Sequence, residues 1–274
     1  MQPRLSILMY HQVGYFAPMR SHRANYCDAG RFRRQMAFLA KGGFSVLSLD
    51  QALAGLRGEL RLKPRSVVLT FDDGYRNFRE HALPVLQAYG FPAVVYAISG
   101  WLGRRMAWAR HEPGRLEPEL LSAAQLRELQ SAGVCVGSHG LSHAKLGELD
   151  ADAQLRELEG SRKALQDLLG SDVRHLCYPF GSFNRATVSL AGEVGYASAT
   201  TCLRGAATPA DHPLVLPRKA ISFGDSLAGF AWKVVVKNAP KSELVRWRAV
   251  MAEAESAGSP SALDSGETRT ECIE

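Results

Sequence analysis

The chain has few cysteines, and it has no apolar run long enough to cross a membrane. Its 274 residues include five cysteines, an odd number without a CxxC spacing, so no disulfide framework is expected. Cys135 and Cys177 lie within apolar, strand-like runs, which indicates buried thiols. No window approaches the roughly 18 apolar residues of a membrane helix. The first apolar run, Leu5–Tyr10, is too short for a signal peptide, so we expect a cytoplasmic protein.

Composition and charge are ordinary in amount but uneven in distribution. The size and the 46% hydrophobic content predict a single domain over residues 1–250, followed by a disordered acidic tail over residues 251–274. Residues 252–274 contain six acidic residues and one basic residue, so the positive charge of the body exceeds the net +6 of the chain. A basic body favours an anionic partner or surface, although a solvated basic surface explains it equally well. No recognition-helix, zinc-finger or RNP pattern occurs, so no nucleic-acid partner is expected.

Strand-like runs alternate with helical patterns, which is typical of a sheet or barrel built from βα units. The predicted strands are Leu5–Tyr10, Phe44–Leu49, Ser66–Phe71, Ala93–Ile98, Val134–Ser138, Arg174–Tyr178, Ala197–Thr201 and Leu214–Ile221. Amphipathic spacing predicts a helix over Gly30–Lys41 and a leucine-rich helix with Asp150 as its N-cap.

Two segments do not fit this alternation. Gly100–Leu120 contains two tryptophans, several arginines, glycines and prolines, and its length predicts a lid or binding loop. Phe230–Lys237 is apolar with basic ends, so it is either a contact for a membrane or partner or the last packed element of the fold.

Two adjacent aspartates, Asp72 and Asp73, follow the predicted strand Ser66–Phe71, and Gly74 marks its end. In parallel α/β folds, ligands bind outside the carboxyl ends of the strands. Two carboxylates held this close repel each other, so a cation or a shared proton is needed to keep both in place. The pair therefore predicts one carboxylate that binds a metal ion and one that is available as a base.

Two histidines four residues apart, His139 and His143, follow the predicted strand Val134–Ser138. On a loop or a first helical turn, this spacing can direct both imidazoles to one metal ion. An isolated HxxxH is more often incidental, but an aspartate pair at the end of another strand of the same sheet strengthens the signal. Two imidazoles and one carboxylate leave positions for water and substrate, as in catalytic metal sites.

Two further segments end predicted strands. In Tyr178–Gly181, proline and glycine fix a tight turn that could present the backbone N–H of Phe180 to an oxyanion, although an ordinary β-turn explains the tetrapeptide as well. His11 follows the first strand, and parallel strands would bring it to the same rim as the other residues. There it is a candidate general acid, whereas taken alone it is an ordinary surface or hydrogen-bonded histidine.

The segments Thr70–Gly74, Ser138–His143 and Tyr178–Gly181 resemble the first three motifs of the polysaccharide deacetylases, the NodB-homology enzymes of carbohydrate esterase family 4. The motifs occur in the family's order and approximate spacing, and the resemblance covers about residues 5–225. It implies an α/β fold, a distorted (β/α) barrel, that removes N-acetyl groups from amino sugars with a divalent metal.

The resemblance also implies a role for individual residues. Asp73, His139 and His143 would be the metal ligands. Asp72 would be the base that activates water, and the Phe180 N–H would help to hold the tetrahedral oxyanion.

The chain departs from the common family pattern in two places. Many members have Arg-Pro-Pro-Tyr where this chain has Cys177–Phe180, so the arginine that pairs with the base is missing, and the Leu-x-His that supplies the acid has no match. The chain is similar to the poly-N-acetylglucosamine deacetylase branch, where the acid histidine lies in an N-terminal Tyr-His motif, and Tyr10–His11 fits this motif. Arg218 is the candidate to orient Asp72, although an ordinary surface arginine explains it as well.

We therefore expect a metal-dependent hydrolase that removes N-acetyl groups from an amino sugar of a saccharide or glycan precursor, in surface or exopolysaccharide assembly. Availability favours Zn²⁺ over Co²⁺ or Ni²⁺, which suit the same ligands. The expected location and the basic body fit a lipid- or nucleotide-linked substrate, with peripheral contact at the inner membrane face. Another C–N hydrolase of the superfamily and a non-catalytic sugar-binding relative are the alternatives. The sequence does not indicate an oligomeric state.

Overall fold

Short strands and longer helices alternate along the chain, and the structure, a computed structural model, describes residues 4–18, 21–108 and 117–256. The ten strands of the described residues are β1 (Leu5–Tyr10), β2 (Gln12–Gly14), β3 (Tyr26–Asp28), β4 (Ser45–Val46), β5 (Ser66–Phe71), β6 (Val94–Ala97), β7 (Cys135–Ser138), β8 (His175–Cys177), β9 (Ser198–Arg204) and β10 (Leu216–Ala220). Their eight α-helices are α1 (Ala29–Lys41), α2 (Leu49–Leu56), α3 (Leu83–Tyr89), α4 (Ala123–Ser131), α5 (Ala151–Leu169), α6 (Arg185–Glu193), α7 (Leu227–Val235) and α8 (Ser242–Ser256).

Strand β1 closes the sheet into a barrel because it pairs in parallel with both β5 and β10. The strand order around the barrel is β1-β10-β9-β8-β7-β6-β5, and β4 pairs with the first residues of β5. The predicted distorted (β/α) barrel is confirmed, with seven strands in the closed ring where a regular (β/α)₈ barrel has eight.

The alternation of side chains along β5 determines where the site can lie. Val67, Leu69 and Phe71 belong to the large core that includes the surrounding helices. Val68 belongs to a separate cluster with residues of β1, β6 and β10, which is the barrel interior. Because side chains alternate between the two faces of a strand, the residue after Phe71, Asp72, continues the inward-facing set.

Helix boundaries follow local capping. The Asp150 side chain accepts a hydrogen bond from the backbone N–H of Ala153 at 2.8 Å, so the predicted N-cap of α5 is confirmed. The predicted strand Phe44–Leu49 is shortened to β4 because Ser48 forms a capping box that starts α2 at Leu49. The small parallel pair β2–β3 is not predicted by the sequence.

The C-terminal part of the fold corrects two predictions. Phe230–Lys237 is not the last packed element, because α7 covers most of it and α8 follows. The predicted boundary at residue 250 is too early, because α8 continues to Ser256 and Met251 is buried. Residues 257–274, the rest of the predicted tail, lie outside the described residues. No helix of the described segments is long and apolar enough to span a membrane.

The prediction of two buried thiols is confirmed for Cys177, which is free and fully buried, whereas Cys135 is free but only partly buried. Cys202 on β9 differs, because it is disulfide-bonded.

We expect Trp247→Ala to reduce the free energy of unfolding by about 3–5 kcal/mol, as for other large-to-small changes in a core. Trp247 on α8 is fully buried, and its ring centroid lies 4.6 Å from that of Phe183. Urea unfolding monitored by circular dichroism measures the change. Val245→Ala is the matched control, since Val245 lies on the same helix but is 51% exposed. Equal losses in the two variants would show that α8 does not pack as described.

Candidate metal and active site

The residues that follow four barrel strands meet at one rim. His11 follows β1, Asp72 and Asp73 follow β5, His139 follows β7, and Phe180 lies just after β8. Because all these strands are parallel, their carboxyl ends lie at the same end of the barrel. All five residues line one cavity of about 70 Å³. The structure therefore brings together the residues that the sequence analysis expects to find together.

Arg218 binds Asp72 inside the barrel through two parallel hydrogen bonds. Its Nη1 donates to Oδ1 and its Nη2 donates to Oδ2, both at 2.7 Å. Its Nε donates to the Thr201 carbonyl at 2.8 Å, and Nη1 also lies 3.1 Å from Thr70 Oγ1. Both members of the ion pair are at most 2% exposed. Arg218 thus lies where the sequence analysis expects it, and it is fixed in place by more than its ion pair.

The ion pair keeps Asp72 in its charged form. Burial raises the pKa of Asp72, but the charge of Arg218 and its hydrogen bonds lower it, and His11 and His139 add to the lowering. The net pKa lies below the usual value for an aspartate. Asp72 is therefore a carboxylate at neutral pH and can accept a proton.

Asp73, His139 and His143 converge on one point. Asp73 Oδ1 lies 3.1 Å from His139 Nε2 and 3.3 Å from His143 Nε2, and all three side chains are buried. Their ligand atoms all lie within 4.8 Å of one another. A second group, formed by Asp72, His139 and Cys177, meets the same distance criterion, but both Asp72 oxygens already accept hydrogen bonds from Arg218.

The hydrogen bond of His139 indicates that a cation belongs in this group. His139 Nδ1 lies 2.7 Å from the Cys177 carbonyl, which can only accept, so Nδ1 carries the proton. In the neutral imidazole, the lone pair of Nε2 then faces Asp73 Oδ1, an arrangement that repels unless a positive charge lies between the two atoms. A carboxylate and two imidazole nitrogens fit a divalent transition metal in this position.

The same need for positive charge shifts the pKa values of the group. Burial lowers the pKa of His139, but Cys177 and the hydrogen bond to Asp73 outweigh this effect and raise it well above its usual value. Burial also raises the pKa of Asp73, and the two histidines reverse that shift and bring it well below its usual value. The pKa of His143 is lowered, mainly by burial. The Asp73 carboxylate is thus ionised beside His139, whose imidazole binds a proton readily, and beside His143, whose imidazole does not.

The backbone at these residues adopts a conformation that is unusual for side chains other than glycine. Asp73, His143 and Phe180 have positive φ angles of 70°, 67° and 56°, in the left-handed region. His22 is the other non-glycine residue with positive φ in the described segments. Left-handed residues of this kind cluster at functional sites, where the surrounding structure holds them in place.

Glu157 on α5 holds the turn between the two histidines. Its Oε2 accepts hydrogen bonds from the backbone N–H groups of Leu141 and Ser142, both at 2.9 Å, and its Oε1 accepts from the Ser142 hydroxyl at 2.5 Å. The sequence analysis missed this residue. The signal was a charged side chain next to Leu158, on the leucine-rich face of a predicted helix.

Aromatic rings form one wall of the cavity against His143. The ring centroids of Trp108 and Phe180 each lie 4.4 Å from that of His143. Trp108 belongs to the segment Gly100–Leu120 that the sequence predicts to be a lid or binding loop, and it does line the cavity. Arg110, Pro113 and Gly114 of that segment lie outside the described residues.

His11 lies next to Asp72 and lines the same cavity as the metal group. Its Nε2 is 3.9 Å from Asp72 Oδ2, and its side chain is 16% exposed, which makes it more accessible than the metal group. It can therefore exchange a proton with a molecule in the cavity. Its role as the acid, like that of Phe180 at the oxyanion, stays a prediction.

The polysaccharide deacetylase family profile matches residues 60–199, slightly more than half of the chain. The chain belongs to the polysaccharide deacetylase family. The match covers all the predicted metal ligands and the predicted base, whereas His11 and Arg218 lie on either side of it.

Curated relatives and solved structures extend this likeness over most of the chain. The Bacillus subtilis (strain 168) protein YxkH, whose polysaccharide deacetylase name is provisional, is 27% identical over 227 residues, covering 83% of this chain and 75% of the relative. A poly-β-1,6-N-acetyl-D-glucosamine N-deacetylase of Staphylococcus aureus (strain MRSA252) is 24% identical over 234 residues, covering 78% of each chain.

Two solved structures share the fold. The Streptococcus pyogenes deacetylase PplD, in complex with acetate, superposes with a TM-score of 0.74 at 25% identity and covers 85% of this chain and 99% of its own. IcaB from Ammonifex degensii has a TM-score of 0.70 at 23% identity, with 85% and 97% covered.

We expect Arg218→Lys to move the acid limb of the pH–rate profile to higher pH. Lysine keeps one charge but loses the two-point contact, so the pKa of Asp72 should rise and the carboxylate should protonate at a pH where the parent is still ionised. Measuring acetate release across pH tests this shift. Arg174→Lys is the control, because Arg174 forms a surface pair with Asp50. An unmoved acid limb in Arg218→Lys would contradict the assignment of Asp72 as the group that titrates there.

We expect Asp73→Asn and His143→Ala to lose bound metal, because each removes one of three protein ligands. Inductively coupled plasma mass spectrometry of the purified protein measures metal content independently of activity. His11→Gln is the control and should retain metal, since His11 is not among the converging ligand atoms. A His143→Ala protein with unchanged metal content would place the metal elsewhere.

Proposed function

We propose that this deacetylase hydrolyses the N-acetyl groups of N-acetylglucosamine residues in a saccharide, producing acetate and a free amine. The observation that carries the proposal is one cavity in which an ionised, arginine-bound carboxylate adjoins an Asp-His-His group. Two further findings support it. The Staphylococcus relative is named for this reaction, and the PplD structure contains acetate, the product of such a reaction.

Asp72 is the residue placed to begin the reaction. A divalent cation bound by Asp73, His139 and His143 would polarise the acetyl carbonyl and lower the pKa of a water molecule. Asp72 accepts the proton of the attacking water, and Arg218 holds the carboxylate in one orientation while it does so.

His11 and Phe180 complete the proposed reaction. As the carbon–nitrogen bond breaks, His11 donates its proton to the departing nitrogen, which leaves as an amine. The N–H of Phe180 lies in the first turn of a short 3-10 helix, where backbone donors have no partner within the helix, and it donates to the developing oxyanion. The left-handed φ of Phe180 sets the direction of this N–H.

The identity of the metal, the form of the substrate and the location of the protein are further parts of the proposal. Zn²⁺ is the proposed metal, with Co²⁺ and Ni²⁺ as alternatives that suit the same ligands. A lipid- or nucleotide-linked substrate, a role in exopolysaccharide assembly and a cytoplasmic location at the inner membrane face also belong to the proposal. The non-catalytic alternative is disfavoured, because a pure binding protein has no need for a buried carboxylate held in its charged form beside a metal site.

We expect Asp72→Asn to lower the rate of acetate release by at least about 10²-fold, the usual contribution of a general base, while metal content stays unchanged. The substrate is a short β-1,6-linked N-acetylglucosamine oligomer, and acetate is measured by a coupled assay with added Zn²⁺, Co²⁺ or Ni²⁺.

Asp50→Asn is the matched control for this experiment, because Asp50 is exposed and its partner Arg174 is a surface residue. It should retain the parent rate. Full activity in Asp72→Asn would show that another group is the base. No acetate from the parent protein on any N-acetylated saccharide would refute the proposed function.

A further inference from the structure

A second cavity, of about 210 Å³, opens beside the candidate active site. The two cavities share three lining residues, Ala24, Arg204 and Ala220, so they are adjoining parts of one surface depression. Arg218 also lines the second cavity, while its guanidinium contacts Asp72 of the first. A molecule bound at the active site could therefore extend into this second cavity, which we call the basic cleft.

The side chains of the basic cleft are strongly positive. Besides Arg218, its lining contains five cationic residues and no acidic one; they are Arg204, Lys219, Lys233, Lys237 and Lys241. A concave surface lined by one sign of charge concentrates the electrostatic potential and attracts ions of the opposite sign.

Two of the five cations are already engaged within the protein. Lys219 Nζ donates to Ser6 Oγ, the Lys233 carbonyl and Asn238 Oδ1, at 2.8 to 2.9 Å. Lys233 Nζ donates to the Ala220 carbonyl at 2.8 Å and to an Asp225 oxygen at 2.6 Å. They add positive potential to the cleft, but their hydrogen bonds leave them little capacity to hold a ligand.

The other three, Arg204, Lys237 and Lys241, remain available to a ligand. Across the described segments, no carboxylate forms an ion pair with any of them. The backbone holds two of them together, because the Lys241 N–H donates to the Arg204 carbonyl at 2.9 Å. Lys237 Nζ lies 5.4 Å from the centre of the Trp232 ring, a cation–π contact that does not neutralise the charge of the lysine.

Burial and this crowding of positive charge together lower the pKa of two lysines. Burial lowers the pKa of Lys219 to about 8, and the charges of Arg4 and Lys237 contribute. Burial lowers the pKa of Lys237 as well, and the neighbouring cations Lys233, Lys241 and Arg204 lower it further. A bound anion would relieve this repulsion.

We propose that the basic cleft binds a phosphate ester or diphosphate that is covalently attached to the N-acetylated sugar. The guanidinium of Arg204 and the ammonium groups of Lys237 and Lys241, which line one cavity, match the multiple charges and oxygens of a phosphate better than those of a single carboxylate. This inference rests on the proposed function, because it assigns the second cavity to another part of the same substrate. It makes the substrate an anionic sugar derivative.

The first test measures binding alone. Isothermal titration calorimetry follows inorganic pyrophosphate binding to the full-length parent protein and to Lys237→Gln/Lys241→Gln. We expect the double variant to bind at least about tenfold more weakly, since each lysine removed can donate a charge-assisted hydrogen bond to the anion.

The control for charge alone is Lys41→Gln/Lys63→Gln, which removes the same number of charges from exposed positions outside the lining of the basic cleft. It should bind pyrophosphate as the parent does. Equal affinity of the parent and the cleft variant, or equal weakening in both double variants, would overturn the proposal. Circular dichroism spectra confirm that each variant is folded.

The second test compares substrates. Acetate release is measured from N-acetylglucosamine 1-phosphate, from UDP-N-acetylglucosamine and from an uncharged N-acetylglucosamine oligomer. We expect KM for the two phosphorylated compounds to rise about tenfold in the cleft variant, relative to KM for the oligomer. A lower KM for the diphosphate than for the monophosphate points to a nucleotide- or lipid-linked sugar, and the reverse order points to a phosphorylated saccharide.

The two proposals fail in different ways. An equal change of KM for charged and uncharged substrates in the cleft variant would overturn the assignment of the basic cleft and leave the deacetylase activity in place. If no substrate releases acetate, the proposed function fails, while pyrophosphate binding still decides whether the cleft holds an anion.

Discussion

The burial of two adjacent carboxylates at the end of one strand is the constraint on which the rest of the site depends. Asp72 and Asp73 are 2% and 4% exposed, and two such groups side by side need compensating positive charge. Arg218 compensates Asp72, and two imidazoles that fit a metal ion surround Asp73. The carboxylates follow β5 and Arg218 lies on β10, and β1 pairs with both strands. The closure of the barrel by β1 therefore brings the base and its arginine together.

The metal group and the basic cleft lie in different parts of one surface depression. The metal group lies against an aromatic wall, where Trp108 and Phe180 contact His143, and the turn that carries it is fastened to α5 by Glu157. Arg218 lies between this region and the basic cleft, and it lines the cleft while its guanidinium contacts Asp72. A single buried arginine thus serves the base on one side and adds positive potential on the other.

Much of this architecture was predictable because it depends on short-range patterns. The barrel strands are apolar and β-branched, and parallel strands bring their ends together, so the meeting of Asp72, Asp73, His139 and His143 followed from strand positions alone. Arg218 was only a candidate, since an ordinary surface arginine explains the sequence as well. The alternation of side chains along β10 shows why Arg218 is buried: it points into the barrel on the same face of the strand as Leu216.

The parts that escaped prediction depend on tertiary contacts or on competing signals. Strands β2 and β3 have three residues each, too few to show a period, and they exist because they pair with each other. Helix α8 does carry an apolar spacing in Leu244, Trp247 and Met251, but its acidic end resembled the tail that follows. The support that Glu157 gives to a distant turn cannot be read from a single helix.

The left-handed backbone of Asp73, His143 and Phe180 has a consequence for how this protein can change. Each such residue costs about 1 kcal/mol or more relative to glycine, which adopts the conformation without a steric penalty. Replacing them by glycine would relieve that strain, yet it would also delete a ligand or the side chain that packs on one. Selection for thermal stability alone would therefore favour glycine at these three positions, whereas selection for activity would keep the present side chains.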